Sequence, residues 1–259
     1  MRIASLVPSL TELLAALGLG HRLVARTGFC VHPAAIVATV PKVGGTKDVN
    51  LAKLRRLRPT HVLVNIDENR LDTVQATQAW PADERPRIVV THPNGPQDNL
   101  ALIDQLAGEF GDEAGVADRA RALRDEVAHE LAATQPDRFA LQRVLYLIWR
   151  EPWMSVARDT YISRMLARVN WQTRPAVEGG DRGAARYPVV QGDEAWLADV
   201  QQVLLSSEPY AFGPQHMDAA RALCPGARIR IVDGELVSWY GPRAVAGLRY
   251  LRGLAGEAG

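Results

Sequence analysis

The sequence predicts an α/β protein built from two lobes with mostly parallel sheets, joined by one long α-helix. In both halves of the 259 residues, short apolar runs alternate with helical runs, which is typical of parallel sheets with helices on their faces. Between the halves, an apolar stripe with spacings of four, three, four and four residues predicts a helix over 112–135. The stripe consists of Val116, Ala120, Leu123, Val127 and Leu131.

We therefore expect an N-terminal lobe over 1–111, a connecting helix over 112–136 and a C-terminal lobe over 137–259. Asp112 is the expected cap of the connecting helix, and Pro136 ends it. Two lobes on a stiff helix predict a cleft, which is where small molecules usually bind. A ligand-binding protein is therefore the first hypothesis.

In the N-terminal lobe we expect strands at 3–7, 23–25, 61–65 and 88–91, with helices at 9–17, 51–57, 69–79 and 96–110. Ser9 and Glu12 have the spacing of a capping box for the first helix. Asn50 is the expected cap of the second helix, which ends before Pro59.

In the C-terminal lobe we expect strands at 143–149 and 203–206 and helices at 159–169, 193–200 and 214–223. Asp159 and Thr160 are expected helix caps. Asp233-Gly234 favours positive φ and predicts a hairpin between 228–232 and 235–238. The last helix is expected to begin with Pro242 in its first turn and to run to about residue 251.

Composition narrows the function. The net charge is +1, which gives no argument for nucleic acid or an anionic membrane surface. No run approaches the ~20 apolar residues of a membrane span. Cys30 and Cys224 fall in different lobes, so we expect free thiols and a reducing compartment. The first strand begins at once, without a signal peptide, which predicts a cytoplasmic location, or a periplasmic one if the chain is trimmed.

Common catalytic motifs are missing from the sequence. It holds no Gly-x-Ser-x-Gly elbow, no phosphate loop ending in Gly-Lys-Ser/Thr, and no Gly-x-Gly-x-x-Gly after the first strand. These motifs supply a nucleophile or a phosphate cradle. Their absence weakens an enzymatic function without excluding it, and we predict no catalytic residues.

Candidate ligand contacts follow the strands, because ligands of open α/β sheets bind beyond the carboxyl ends of strands. Aromatic walls with a few charged groups suit a large, flat, partly polar ligand. Arginine is suited to bidentate recognition of carboxylates at its edge. The candidates are Lys47, Glu68, Arg70, Arg150, Trp153, Arg186, Tyr187, Glu208, Tyr210, Phe212, Trp239 and Arg243.

Several of these residues also have a purely structural interpretation. Glu68 and Arg70 could form a salt bridge at a helix start, and Trp153 could belong to the core. Trp149 is expected in the core because it ends an apolar strand. Cys30 and His32 are suitable ligands for a soft metal, but a zinc site needs three or four ligands.

The opening residues 3–18, Ile-Ala-Ser-Leu-Val-Pro-Ser-Leu-Thr-Glu-Leu-Leu-Ala-Ala-Leu-Gly, resemble the helical-backbone (TroA-like) substrate-binding proteins of ABC importers. Residues 41–45, 50–51 and 57–64 resemble them too. The resemblance covers nearly the whole chain and is closest to the cobalamin-binding branch. Residues 146–154, 204–210, 232–235 and 238–241 are similar to the subgroup called helical backbone metal receptors.

The resemblance implies two Rossmann-like lobes joined by a single helix, with cobalamin, haem or another iron chelate as the ligand and an ABC permease as a partner. Tyr187-Pro188 matches a Trp-Pro pair of the cobalamin binders, and Ile66 stands near the position of their first-lobe Trp. Asp72, with Asp193 or Glu194, corresponds to acidic residues that dock on the permease.

Two other hypotheses stay open. A cytoplasmic enzyme or metallocofactor chaperone could use the same scaffold, since Cys30, His32, Glu68, Arg70, Arg150 and Glu208 make a dense polar set for the receptor of a neutral ligand. A scaffold that has lost its ligand and serves protein contacts is the third.

Overall fold

The computed structural model describes residues 1–256 and divides them into two compact units. Unit 1 contains Met1–Pro93, Asn99–Asp125 and Tyr240–Pro242. Unit 2 contains Asn94–Asp98, Glu126–Trp239 and the described part of Arg243–Gly259. Each unit has its own parallel sheet with helices, so the predicted α/β class is confirmed.

The sheet of unit 1 consists of β1 (Ile3–Ser5), β2 (Leu23–Arg26), β3 (His61–Asn65) and β4 (Arg87–Thr91). Its order is β2-β1-β3-β4, and every pairing is parallel. The strands are nearly continuous apolar runs because helices cover both faces of such a sheet. Fully buried Ala4, Leu6 and Ala25 pack with Leu54 and Val62 in one part of its core.

The helices of unit 1 are α1 (Pro8–Ala16), α2 (Ala34–Val37), α3 (Leu51–Arg56), α4 (Leu71–Gln78) and α5 (Asp98–Phe110). The predicted cap of α3 is confirmed, since Asn50 Oδ1 accepts the Lys53 N–H at 2.8 Å. The predicted capping box at Ser9 is wrong. Pro8 occupies the first turn of α1 and Val7 is the N-cap, because the fixed φ of proline favours the first helical position.

The long helix is α6 (Val116–Ala133), 18 residues, and the boundary between the two units falls inside it. The predicted apolar stripe is buried at Val116, Ala120, Val127 and Leu131. The predicted start at Asp112 is wrong, because Gly115 takes φ +77 and ends any helical continuity before Val116.

The main sheet of unit 2 consists of β5 (Gln142–Leu147), β7 (Trp171–Arg174), β9 (Gln202–Ser206) and β10 (Arg228–Val232). Its order is β10-β9-β5-β7, again parallel. Two further strands, β6 (Trp153–Met154) and β8 (Val189–Val190), pair antiparallel. The sequence did not predict β6, β7 or β8, since each is two to four residues long and shows no clear period.

The helices of unit 2 are α7 (Tyr161–Ala167), α8 (Met217–Leu223), α9 (Gly234–Ser238) and α10 (Arg243–Gly256). Thr160 caps α7 as predicted, accepting the Ser163 N–H. The predicted helix over 193–200 is wrong in type, because Ala195–Asp199 form a 3₁₀ helix. The predicted hairpin is also wrong, since Asp233 caps α9 instead by accepting the Leu236 N–H.

A buried carboxylate connects α6 to α10 inside unit 2. Glu130 is 2 % exposed, and its two oxygens accept Arg249 Nε and Arg252 Nη1, each at 2.6 Å. Arg252 also donates to Thr134 Oγ1 at 2.7 Å. Burial alone would raise the pKa of Glu130, but the hydrogen bonds and charges of Arg252 and Arg249 outweigh it and lower the pKa.

We predict that Glu130→Gln lowers the free energy of unfolding by about 2 kcal/mol at pH 7, because the two arginines lose their carboxylate. A carboxyl group whose pKa is lower in the folded state stabilises the fold at pH values above its unfolded-state pKa. This stabilisation is lost as the pH falls through its folded-state pKa. The difference between wild type and Glu130→Gln should therefore shrink in acid. Urea titrations at pH 7 and pH 3.5 measure it.

The matched control is Glu126→Gln, an exposed carboxylate one turn earlier on α6. It should change the free energy of unfolding by less than about 0.5 kcal/mol. Equal effects of the two substitutions would contradict the stabilising role of Glu130.

Candidate functional site

Each sheet has one point at which its strand order reverses, and ligands of open α/β sheets bind outside the carboxyl ends of the strands at such a point. In unit 1 the reversal lies between β1 and β3, and in unit 2 it lies between β5 and β9. Each unit has its own carboxyl edge. The strand that precedes a candidate residue therefore determines at which of the two edges that residue lies.

An aromatic cluster covers the reversal point of unit 2. We call it the aromatic cluster, and it consists of Trp149, Trp153, Tyr210, Phe212 and His216. The rings of Trp153 and Phe212 stack with centroids 6.0 Å apart, and those of Tyr210 and Phe212 are 4.7 Å apart. Trp149 meets Tyr210 edge-on at 5.6 Å. Such geometry adds to the stabilisation from burial alone.

Backbone hydrogen bonds position this cluster on the two strands. The Tyr210 N–H donates to the Ile148 carbonyl, just past β5, and the Phe212 N–H donates to the Ser206 carbonyl at the end of β9, each at 3.3 Å. The Met154 N–H donates to the Trp149 carbonyl at 3.1 Å. The segments that follow β5 and β9 are therefore fastened to each other at the carboxyl edge.

The expectation that Trp149 belongs to the core is wrong. Its side chain is 42 % exposed, because β5 ends at Leu147 and Trp149 already lies beyond the sheet. Phe212, by contrast, is only 5 % exposed and packs against the rings of Trp153 and Tyr210. The guanidinium of Arg150 lies 5.5 Å from the centre of the Trp153 ring, a cation–π contact. The exposed surface of the cluster is therefore aromatic with a cation at its edge.

His216 belongs to the cluster although the sequence analysis did not select it. It is 6 % exposed, and its Nδ1 accepts the Gly213 N–H at 2.9 Å. A signal was present, because Pro214 in the first turn makes Gly213 the N-cap and places His216 at the third helical position. A side chain at that position can reach back to the N-cap amide.

Glu208 and Trp239, two further candidates, bind each other inside unit 2. Trp239 Nε1 donates to Glu208 Oε1 at 2.7 Å, and Ser238 Oγ donates to the same oxygen at 2.6 Å. Burial raises the pKa of Glu208, and these two donors offset only part of the rise. Gly234 lies so close that a Cβ there would overlap Ser206 Oγ and the Glu208 backbone, which fixes glycine at this turn.

Arg243 adds to that group. Its guanidinium lies 4.8 Å from the centre of the Trp239 ring and 2.8 Å from Glu235 Oε2. Trp239 is 7 % exposed. Glu208, Trp239 and Arg243 thus make up a packed group that holds α9 and the start of α10, and their predicted ligand contacts stay predictions.

Arg186 is 2 % exposed and its guanidinium is used inside unit 2. It donates to the Gly180 carbonyl at 2.6 Å and to Asn94 Oδ1 at 2.8 Å. Asp159 accepts the Gly179 and Gly180 N–H groups nearby. This geometry favours a structural role for Arg186, in ordering the 179–186 loop. Its neighbour Tyr187 is half-buried, two residues before β8.

The carboxyl edge of unit 1 is polar. Tyr240 is 5 % exposed and donates its hydroxyl to Glu68 Oε1 at 2.9 Å. Burial and the charge of Glu68 raise the pKa of Tyr240 well above its ordinary value, so the phenol stays protonated. Lys47 Nζ donates to the Asp67 carbonyl at 2.6 Å. Asn69 donates to the Leu6 and Thr46 carbonyls at 3.1 and 3.0 Å, directly at the reversal point.

Two exposed apolar side chains at this edge are not among the ligand contacts predicted from the sequence, although the family resemblance places Ile66 near a ligand-packing position. Phe29 follows β2 and is 63 % exposed, and Ile66 follows β3 and is 42 % exposed. Their signal was positional, since both lie within three residues of a strand's carboxyl end. Exposed large apolar groups at the edge of a parallel sheet are candidates for contact with an apolar ligand.

Cys30 and His32 do not find a third metal ligand. Among residues 1–256 no group of three His, Cys, Asp or Glu side chains could hold a metal ion. Cys30 is fully buried, with its Sγ 3.1 Å from Thr27 Oγ1. Burial raises the pKa of the Cys30 thiol, which disfavours the thiolate that a metal requires. The geometry therefore does not support the predicted metal pair.

The candidate docking carboxylates differ in their surroundings. Asp72 pairs with Arg70 at 2.8 Å with both side chains exposed, beside an open depression of about 530 Å³ that Lys47 also lines. Asp193 is exposed. Glu194 accepts the Gln191 and Gly192 N–H groups, each at 2.8 Å. Burial alone would raise the pKa of Glu194, but these donors lower it.

The chain belongs to the periplasmic binding protein family, whose model matches residues 3–203. This family binds small ligands and works with ABC permeases. The match covers both parallel sheets up to the start of β9, so the substrate-binding class follows from sequence and fold together.

Solved structures share the fold. A periplasmic vitamin B12-binding protein of Vibrio cholerae superposes with a TM-score of 0.78 at 18% identity, covering 99% of this chain and 97% of that one. A periplasmic haem-binding protein of Roseiflexus gives 0.77 at 19%, covering 100% and 99%. A periplasmic haem-binding protein of Pseudomonas aeruginosa gives 0.77 at 23%, covering 98% and 92%.

Among curated proteins, a tRNA (guanine(26)-N(2))-dimethyltransferase of Natronomonas pharaonis is 38% identical over 73 residues. The match spans 28% of this chain and 19% of that protein. It is confined to a small part of both chains, whereas the family model and the superpositions span most of this one. In residues 1–256, no helix is long and apolar enough to cross a membrane.

We predict that Glu208→Ala lowers the free energy of unfolding by about 2 kcal/mol at pH 7, since Trp239 Nε1 and Ser238 Oγ lose their acceptor. Glu208→Gln keeps an acceptor oxygen and should be as stable as wild type or more stable. A carboxyl group whose pKa is higher in the folded state stabilises the fold at pH values below its unfolded-state pKa. This stabilisation is lost as the pH rises through its folded-state pKa. Urea titrations at pH 4 and pH 7 test both variants.

The free energy of unfolding of wild type should therefore rise relative to that of Glu208→Gln as the pH is lowered. If Glu208→Gln lost as much stability as Glu208→Ala at pH 7, the carboxylate charge itself would be needed, and the assignment of Glu208 to a mainly hydrogen-bonding role would fail.

Proposed function

We propose that this protein is a substrate-binding protein for a large, flat metal chelate of the tetrapyrrole class, with haem and corrinoids as the candidate ligands. The aromatic cluster of unit 2 is the observation that carries the proposal. An exposed Trp149 on a packed base of Tyr210 and Phe212 offers a stacking surface at the point of the sheet where ligands bind in open α/β folds.

Three further observations support the ligand class. Phe29 and Ile66 expose apolar surface at the carboxyl edge of unit 1, where a planar apolar ligand gains from burial. The guanidinium of Arg150 offers a charge for acidic edge groups. Two of the solved structures that share the fold are described as haem-binding, and one as vitamin B12-binding.

We also propose that an ABC permease is the partner that receives the ligand, since the family works with such permeases. Exposed Asp72 on unit 1 and Asp193 on unit 2 are the carboxylates proposed to dock on it. This partnership goes with the periplasmic location, because an importer takes up its ligand from outside the cytoplasm. A cytoplasmic location would instead favour the enzyme or metallocofactor chaperone built on the same scaffold.

The first test titrates the purified protein with haemin and with cyanocobalamin and follows the visible absorption spectrum. The proposal expects saturable one-to-one binding of one of them with a spectral shift. Trp149→Ala should weaken that binding at least tenfold, because a stacking contact of about 1.4 kcal/mol corresponds to that factor.

The matched control is Leu141→Ala. Leu141 is 44 % exposed, close to the 42 % of Trp149, but it precedes β5 and so lies at the amino end of the same strand. It should leave affinity unchanged. Failure of wild type to bind either compound would overturn the proposed ligand class, and equal loss in both variants would overturn the proposed place of binding.

A further inference from the structure

The aromatic cluster contains one hydrogen-bonded pair whose direction the structure fixes. The Gly213 N–H donates to His216 Nδ1 at 2.9 Å. A ring nitrogen that accepts cannot carry a proton, so the neutral ring bears its hydrogen on Nε2. His216 Nε2 lies 3.2 Å from the Tyr210 hydroxyl oxygen, and its hydrogen is therefore donated to that oxygen.

This hydrogen bond determines the role of the Tyr210 hydroxyl. Its oxygen already accepts from His216, and within residues 1–256 it has no other hydrogen-bond partner. The hydroxyl hydrogen is thus left to donate elsewhere. A phenol that accepts one hydrogen bond becomes a better donor for the next, because hydrogen bonds in a chain polarise one another.

The surroundings indicate what this hydrogen meets. Tyr210 is half-buried and touches the exposed ring of Trp149 edge-on. Arg150 follows Trp149 directly and lies over Trp153 in the same cluster. Its Nε lies 3.7 Å from the exposed Glu151 carboxylate, and such an exposed ion pair is weak enough to yield to another anion. A phenol donor and a guanidinium beside an exposed indole favour an acceptor with negative charge over a neutral one.

We propose that His216 is a positioning residue that sets the Tyr210 hydroxyl as a donor to a carboxylate on the edge of the bound ligand. This inference rests on the proposed function and narrows its ligand class from tetrapyrrole chelates in general to those that carry a carboxylate. His216 itself is buried behind Tyr210 and Phe212, so it acts on the ligand only through Tyr210.

The test compares two probes that differ only in the carboxylates, haemin and haemin dimethyl ester, by absorption titration. Wild type should prefer haemin. Tyr210→Phe removes the hydroxyl donor and should lower this preference about tenfold, the usual factor for one hydrogen bond to a charged group. Loss of affinity for both probes in equal measure would instead indicate packing alone.

Two variants of His216 distinguish the roles of its two ring nitrogens. His216→Asn places an acceptor near the position of Nδ1 for the Gly213 N–H but does not reach Tyr210. His216→Gln places a donor near the position of Nε2. The proposal expects His216→Gln to keep most of the preference for haemin and His216→Asn to lose about tenfold of it, whereas a merely structural role predicts the reverse order or no difference.

The double variant Tyr210→Phe with His216→Asn closes the cycle. Its preference should equal that of Tyr210→Phe alone, because His216 acts only through the hydroxyl. Additive losses would overturn the inference. If wild type binds haemin and its ester equally well, the carboxylate assignment fails while the proposed function stands. If it binds neither compound nor cyanocobalamin, the proposed function itself fails.

Discussion

Parallel strand pairing with one reversal of order is the constraint on which the rest of each unit depends. Because the strands are parallel, every chain segment that leaves a sheet by its carboxyl end does so at the same edge, and the reversal leaves a gap between two helix connections there. In unit 2 the segments after β5 and β9 fill this gap with Trp149, Tyr210 and Phe212. In unit 1 the Asn69 amide occupies the equivalent position through hydrogen bonds to two backbone carbonyls.

The two edges differ in chemistry although they share a topology. Unit 1 uses internal polar contacts, with Tyr240 bound to Glu68 and Lys47 bound to a carbonyl, and exposes apolar Phe29 and Ile66 around them. Unit 2 packs aromatic rings and adds the cation of Arg150. Polar groups that are already satisfied by the protein give little affinity for a ligand. The ligand preference of this chain is therefore expected to follow the apolar and aromatic residues more than the buried carboxylates.

The sequence predicted the α/β class, the long helix and the order of most elements, because apolar periodicity and proline or asparagine signals act locally. It failed where tertiary contacts decide. Asp233-Gly234 suits a hairpin or a helix start equally well, and in the structure Asp233 Oδ1 accepts the Leu236 N–H and caps a helix. Gly234 packs too closely on Ser206 and Glu208 to carry a side chain. Position after a strand identified Tyr210 and Phe212 correctly as edge residues, but it could not show that Arg186 turns inward or that Trp149 lies beyond the core. His216 was missed because its part depends on which nitrogen accepts the Gly213 N–H.

The central proposal is that the ligand binds on the aromatic cluster at the carboxyl edge of the sheet in unit 2. Hydrogen–deuterium exchange of the protein with and without haemin, read out peptide by peptide, tests it most directly, with cyanocobalamin as a parallel probe. We predict slower exchange in the segments that follow β5 and β9, residues 148–154 and 207–216. Protection confined to the amino ends of the strands, or to the outer helices, would contradict it.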